Sequence, residues 1–390
     1  MPETVILGAG IQGATLALAA IARGQRPILI DRDDAPAGAS VNSYGIIHGG
    51  LRYLQSFSIG RWRQSRRAQA WYIDRYPRHV RPLRCVMPLY RGAIRSPALF
   101  AAARVADRTL RVACGQECPL PDDGKYSRQQ VLDGYAVPAM DLVGGAFWHD
   151  AELTDAPALL AHMLAQVEQR GGVLLRATEA IALAEQAGQL QGVHVRDRTS
   201  GQEQRLATGQ LFDCRGAWSG FDPGEGAGRA ARPSAAILAY NLLLDIPAPH
   251  GVDAYALSPR HGRGRSYFFR KVKGGTLVGT FYRPAPGATQ AAPEPRDIDA
   301  ALRQIRLCLP HLDLDAGSIR AVHAGLLPDR DGSGRQFDMR DRHLQPGPRG
   351  YHLLVGGKLT TAPLLSEAVA DRIWPAQPAG SATKARAHYA

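Results

Sequence analysis

The hexapeptide GAGIQG, residues 8–13, constrains this chain more than any other stretch. It follows TVIL, which reads as a buried strand, and it opens QGATLALAAIARG, an Ala/Leu helix that ends at Gly24. PILIDR then reads as a second buried strand. Strand, glycine turn, helix and strand make a crossover unit, and such units build parallel sheets. Gly8 allows the tight turn, Gly10 lets a pyrophosphate approach the backbone, and Gly13 lets the helix pack closely on the strand. Ile11 and Gln12 open the helix, whose free N–H groups suit phosphate oxygens. Asp31 ends the next strand, beside Arg32, where a carboxylate accepts hydrogen bonds from ribose hydroxyls. A glycine turn in an unrelated fold is the plainer alternative; the flanking strand, helix and carboxylate argue against it.

A second strand–Gly-Gly–helix junction lies about 340 residues later, in LLVGGKLTTAPLLSEAVADRI. Nicotinamide enzymes rarely need one. A flavin does, because its reduced ring carries negative charge near the pyrimidine edge, and a helix N-terminus aimed there stabilises that charge. Gly356, Gly357, Lys358, Leu359 and Thr360 are the candidates on this side. The two junctions together suggest one extended FAD held at both ends.

The chain has 390 residues, long for a single core, so two interleaved domains are expected. The fold class is α/β: a Rossmann-like FAD-binding domain with an inserted antiparallel-sheet substrate domain. The first is read as residues 1–80, 146–225 and 326–390, the second as 81–145 and 226–325. DAPALLAHMLAQVEQRGG carries apolar residues at helical spacing (Leu159, Leu160, Met163, Leu164, Val167) before a Gly-Gly stop and the strand VLLRA. QLFDC is expected to rejoin the main sheet. In the second domain ILAYNLLLDI, RSYFFRKV and GTLVGTFY read as strands.

No apolar run reaches the roughly 20 residues of a membrane span. The first strand begins almost at Met1, so no signal or transit peptide is expected. The five cysteines (Cys85, Cys114, Cys118, Cys214, Cys308) form no CxxC pair and read as reduced thiols. A cytoplasmic protein is expected. The net charge of +12 is mostly arginine. That suits an anionic ligand, an acidic membrane surface or nucleic acid, or else reflects an arginine-rich proteome.

The stretches GAGIQGATLA, IIHGGLRYL, WHDAELTDAPAL, GAWSG and VGGKLTT resemble the FAD-dependent glycerol-3-phosphate dehydrogenases, within the D-amino-acid-oxidase-like superfamily. The resemblance covers nearly the whole chain, except the C-terminal helical domain that many members carry after the GGKLTT helix. It implies a fold of the D-amino-acid-oxidase and glutathione-reductase type. It implies that the HGGLRYL strand lies along the flavin ring, with Gly49 and Gly50 letting the backbone pass without a side-chain clash. It further places Ser40 and Ser43 near the pyrophosphate and ring, Gly216 in the cofactor site, and Lys358 beside the pyrimidine edge.

The implied reaction is oxidation of a secondary alcohol on a small anionic substrate, a polyol or sugar phosphate first and a hydroxy acid second. The flavin would accept a hydride, and a base must reach the hydroxyl proton. His48 is the first candidate base, since an imidazole titrates near about 6.5; a purely packed histidine is the alternative. Arg52 would pair with an anionic group or an alkoxide, and Tyr53 would donate one hydrogen bond or simply pack. The resemblance gives Arg340 a phosphate-binding role. Arg265 and Arg270 are further basic candidates, against the plainer reading of a solvated strand face. Where the family carries an arginine before a proline, this chain has Leu327, in HAGLLPDRDG. Losing one member of a buried charge pair costs about 2–5 kcal/mol. Arg330 is the candidate compensation, and a larger, partly apolar anion is the alternative.

Two other functions stay open at this level. A secondary-amine or amino-acid oxidase shares the fold. A basic flavoprotein that binds nucleic acid or acidic lipid is suggested by GRWRQSRRAQAWYIDRYPRHVRPLR, where arginines alternate with aromatics. The favoured reading of that stretch is a solvated basic helix burying Trp62 and Tyr72, which leaves peripheral contact with the inner face of a membrane as a lesser reading and nucleic acid as the least. No metal site is expected, because the histidines are scattered. The electron acceptor, oxygen, quinone or a protein, is not encoded in any motif.

Overall fold

The computed structural model describes residues 4–54, 58–91, 97–115, 120–222, 229–230, 236–246, 254–259, 265–329 and 341–375. Among them, strands form three sheets.

The first sheet has six strands, in the order Arg342–Leu344, Tyr351–Val355, Gln210–Asp213, Thr4–Leu7, Ile28–Ile30 and Val173–Leu175. All pairs are parallel except the first. Apolar residues stand in register across it: Phe212, Ile6, Leu29 and Leu174 are successive partners. Such strands are near-continuous apolar runs because both faces are covered. The helices Ile11–Ile21, Ala156–Gln169 and Ala362–Ile373 share one apolar cluster with this sheet, through Leu16, Met163 and Val369. All five apolar residues expected of the second helix are buried. Its start is fixed by Asp155, which accepts from the Ala158 N–H at 2.9 Å.

A five-stranded antiparallel sheet (Glu203–Ala207, Gln189–Asp197, Thr178–Gln186, Arg229–Ala230 and Phe221–Asp222) packs through Val193 and Val195 against Val5 and Leu7 of the parallel sheet. The nine-stranded sheet is the larger partner. Its main path runs Ile319–Pro328, Ala236–Leu244, Gly275–Pro284, Tyr267–Val272, Ala254–Leu257, Val80–Tyr90, Leu142–Leu153 and Ile46–Ile47. It therefore reaches beyond segments 81–145 and 226–325, taking in residues 46–47, 80, 146–153 and 326–328. The helix Pro295–Cys308 covers it through Leu302 and Ile305.

The stretch HGGLRYL departs from a continuous strand. Pairing stops at Ile47, Gly50 turns the chain at φ +89°, and Leu51–Leu54 is one helical turn. Only glycine adopts that φ without strain. The basic segment is helical only over Ile59–Arg75, which buries Trp62, Ser65, Ala68, Gln69 and Tyr72 and exposes Arg61, Arg63 and Arg67; its end runs into the strand Val80–Tyr90. No helix among the described residues is long and apolar enough to cross a membrane.

Candidate functional site

Four adjacent parallel strands end on one side of the six-stranded sheet, and a cleft of about 1010 Å³ opens there. Leu7 and Gly8, Ile30 and Asp31, Cys214, and Gly356 mark those four ends on its wall. Open parallel sheets bind their ligands in such a crevice. The cleft brings together, from across the chain, Gly8, Gly10, Ile11, Gln12, Asp31, Arg32, Ser40, Ser43, Gly216, Gly356, Gly357, Lys358 and Leu359. Gly13, Gly49, Gly50 and Thr360 do not line it.

The glycine turn has explicit steric reasons. A Cβ on Gly13 would stand 1.9 Å from the Gly8 carbonyl oxygen, and Gly8 itself sits at φ +92°. The carboxylate of Asp31 staples this turn, accepting from the Ala9 N–H at 2.6 Å and the Asp33 N–H at 2.9 Å. Burial raises its pKa, against the pull of those two donors. Ser40 Oγ accepts the Ile11 N–H at 3.0 Å, so it caps the helix that Gly10 leaves without a side-chain cap. Arg32 lies over the Trp218 ring at 4.3 Å, just past Gly216.

The walls fit a flavin dinucleotide. Gln12 Oε1, Ser43 Oγ and Asn241 Oδ1 are buried on the cleft walls, with no hydrogen-bond partner in the protein. Such atoms need a ligand or water. Gln12 Nε2 is held by Ser366 Oγ at 2.8 Å and the Asn241 amide donates to the Asn42 carbonyl at 3.3 Å, while their free oxygens lie against Gly356 and Gly279. Neither helix entering the cleft, Ile11–Ile21 or Ala362–Ile373, has an acidic residue in its first turn or a side-chain cap on its N-cap residue.

The helix Ile59–Arg75 brackets the other end of the site. Gln69 Nε2 donates to the Ile47 carbonyl at 2.8 Å, and Tyr72 OH donates to the Leu359 carbonyl at 2.8 Å. One helix thus ties the HGG turn to the GGKL loop. It also supplies a reason for both glycines of the turn. A Cβ on Gly49 would stand 2.8 Å from Arg66 Nη1 and Gln69 Oε1, and one on Gly50 would stand 2.9 Å from Ser65 Cβ. The side chains are missing where the helix packs, a contact that sequence reading did not anticipate.

Tyr53 and Lys358 meet across 305 positions: the Lys358 ammonium donates to the buried Tyr53 hydroxyl at 3.0 Å. The His48 ring lies 5.3 Å from that of Phe268, tilted by 50°, and its side chain is 32% exposed. Its Nδ1 lies 2.8 Å from Asp150 Oδ2. The same carboxylate takes the Trp148 indole N–H at 3.1 Å and the Gly49 N–H at 2.7 Å. Burial alone would raise the Asp150 carboxyl; the His48 ring and the N–H donors outweigh that and hold it below the usual range. Asp150 was not singled out from the sequence, although WHDAELTDAPAL contains it. Alternation along the strand Leu142–Leu153, with Trp148 and Asp150 on one face, is the signal that could have found it.

The basic candidates separate. Arg270 is 6% exposed; it donates to Glu152 at 2.7 Å and to the Tyr44 carbonyl at 2.7 Å. It is an internal ion pair, neither a solvated strand face nor a cation open to the cleft. Arg265 is exposed and lies 4.3 Å over the Tyr282 ring. Arg330 and Arg340 lie outside the described residues, as does the Arg52 side chain. Leu327 is on the cleft wall, paired in register with Ile237. No group of three or more potential metal ligands occurs among the described residues.

Residues 3–372 match the family described as FAD dependent oxidoreductase (DAO). A glycerol-3-phosphate dehydrogenase of Synechocystis is 25% identical over 391 residues, covering 95% of this chain and 70% of that protein. The mitochondrial glycerol-3-phosphate dehydrogenase of Macaca fascicularis is 26% identical, over 94% of this chain and 52% of its own length. The chain thus spans about half the length of such mitochondrial relatives. Among solved structures, the glycerol-3-phosphate dehydrogenase of Bacillus halodurans complexed with FAD superposes with a TM-score of 0.71 at 19% identity, over 95% of this chain and 64% of that one. The L-proline dehydrogenase of P. horikoshii gives 0.67 at 14% identity, over 96% and 94%. At these identities the two structures speak for the fold.

Proposed function

Because this chain belongs to the FAD-dependent oxidoreductase (DAO) family, we propose that it oxidises a secondary alcohol on a small anionic substrate of the glycerol-3-phosphate kind. The observation that carries the reading is the HGG turn itself. It sets a partly open imidazole, His48, beside a substrate-domain sheet and ties it through one helix to the second cofactor junction.

FAD, when bound, supplies the hydride acceptor. The residues that would hold it are those of the glycine turn, Asp31, Ser40, Ser43 and the Gly356–Leu359 loop. His48 takes the hydroxyl proton as the C–H bond is broken. Lys358 brings positive charge to the loop, and its bond from the ammonium fixes the Tyr53 ring. Leu327 gives the cleft an apolar patch where the resemblance implies an arginine. A substrate with some apolar surface, or an anion bound further along, suits that wall better than a phosphate at Leu327.

The second reading, a secondary-amine or amino-acid oxidase, draws on the near-complete coverage of L-proline dehydrogenase. One experiment separates the two. Phosphorylated polyols, hydroxy acids and amines are offered anaerobically to the FAD-loaded protein while flavin absorbance is followed. Bleaching by an alcohol and by no amine is expected. Bleaching by amines alone moves the protein to the other branch.

A further inference from the structure

We propose that Asp150 is a positioning residue for this oxidation: it holds His48 with the proton on Nδ1, keeps Nε2 free for the substrate hydroxyl, and pairs with the imidazolium that forms. The proposal rests on the reading of His48 as the base.

Three N–H groups converge on the two Asp150 oxygens. The Gly49 amide and the Trp148 indole are donors in every protonation state. A carboxylate between such donors acts as acceptor, so the His48 Nδ1 at 2.8 Å is the donor of the third bond. In a neutral imidazole that leaves the lone pair on Nε2. The hydrogen bond made by one ring nitrogen thereby decides what the other can do.

The carboxylate also fixes where the ring stands. Its Oδ1 holds the backbone of Gly49 and its Oδ2 holds the ring of His48, so backbone and side chain of the turn answer to one residue. Trp148, two positions along the same strand, steadies Oδ2 from its own face. Phe268 closes one side of the ring. Asp150 is 3% exposed, and among the described residues no lysine or arginine pairs with it. Proton transfer is balanced within this pair: the substrate O–H breaks, the proton goes to Nε2, and the new positive charge lies against a carboxylate that was already ionised.

The test is made on FAD-loaded protein. Nitrogen-15 NMR of His48, assigned by its loss in His48→Ala, reads the tautomer directly. In the native protein the neutral ring is expected to carry its proton on Nδ1. In Asp150→Asn the amide can donate to Nδ1, and the proton is expected to move to Nε2. Anaerobic flavin reduction by the best alcohol of the panel should slow by about 10²- to 10⁴-fold, with the substrate dissociation constant little changed. Added to His48→Ala, the Asp150→Asn change should slow reduction no further. A native His48 protonated on Nε2 overturns the proposal, as does full-speed reduction by the Asn variant. If that variant fails to retain FAD, the native tautomer decides alone. A native protein that no alcohol reduces defeats the dehydrogenase reading; the tautomer still judges the positioning.

Discussion

Asp150 and Asp213 invite comparison. Both are buried, at 3% and 0% exposure, and both carboxyls are held below their usual pKa range. In each case burial pushes upward and a neighbouring ring or guanidinium pulls downward harder. The partners differ. Asp213 is clasped by the Arg215 guanidinium through two bonds, Nε at 2.9 Å and Nη2 at 2.7 Å, and also accepts from the Arg215 N–H, the Tyr351 hydroxyl and the Gly220 N–H. Arginine does not give up its proton. Asp150 is bonded instead to a histidine, a side chain able to take up and release a proton. The first carboxylate is a fixed counter-ion that locks the loop carrying Gly216; the second faces a partner that can change state. A depressed pKa therefore does not by itself mark the reactive carboxylate. The chemistry of its partner does.

The contrast predicts unequal responses. The largest is expected for Asp213→Asn, which leaves the Arg215 guanidinium without its counter-ion. Breaking such a pair costs about 3–5 kcal/mol, read from the denaturant midpoint. A loss near zero would remove Asp213 from the comparison. Asp150→Asn should cost less, about 1–3 kcal/mol, because no arginine or lysine among the described residues pairs with Asp150. Equal losses in the two variants would break the distinction.

The acid limb sharpens it. A carboxyl with a depressed folded-state pKa stabilises above its unfolded value, near about 3.9, and that contribution is lost as pH falls through the folded value. Both aspartates should thus make the native protein less stable below about pH 4. The Asp213→Asn variant should show a flatter stability curve there, measured by thermal unfolding across acid buffers. An unchanged slope contradicts the ion-pair account. The smallest effect is expected where a cation meets a neutral partner. Tyr53→Phe removes the acceptor of the Lys358 ammonium and should cost about 0.5–1.5 kcal/mol.

The parts legible in the sequence were those written in short repeats of local pattern. GAGIQG announced its turn because each glycine answers a nearby steric demand, Gly13 against Gly8 above all. Leu159, Leu160, Met163, Leu164 and Val167 announced a buried helix face by their spacing. RWRQSRRAQAWYIDR was legible as a helix with Trp62 and Tyr72 inside and Arg61, Arg63 and Arg67 outside, but Arg66 turns inward to Asp107. By contrast, Arg270 read as a surface residue or ligand, since nothing near it in sequence shows Glu152, 118 positions away. Gly49 and Gly50 were legible as sites of close approach, but what approaches in this structure is the helix Ile59–Arg75.

The sequence by itself determined the parallel sheet, its crossover helix and the two glycine junctions. These follow from backbone sterics and from periods of two and 3.6 residues, which act over a few neighbours. Only the tertiary structure decided that Asp150 reaches His48 across 102 positions, that Tyr53 meets Lys358, and that Arg270 is neutralised inside. Sheet order and helix packing bring such groups together, and the electrostatic character of a side chain depends on that company more than on its place in the chain.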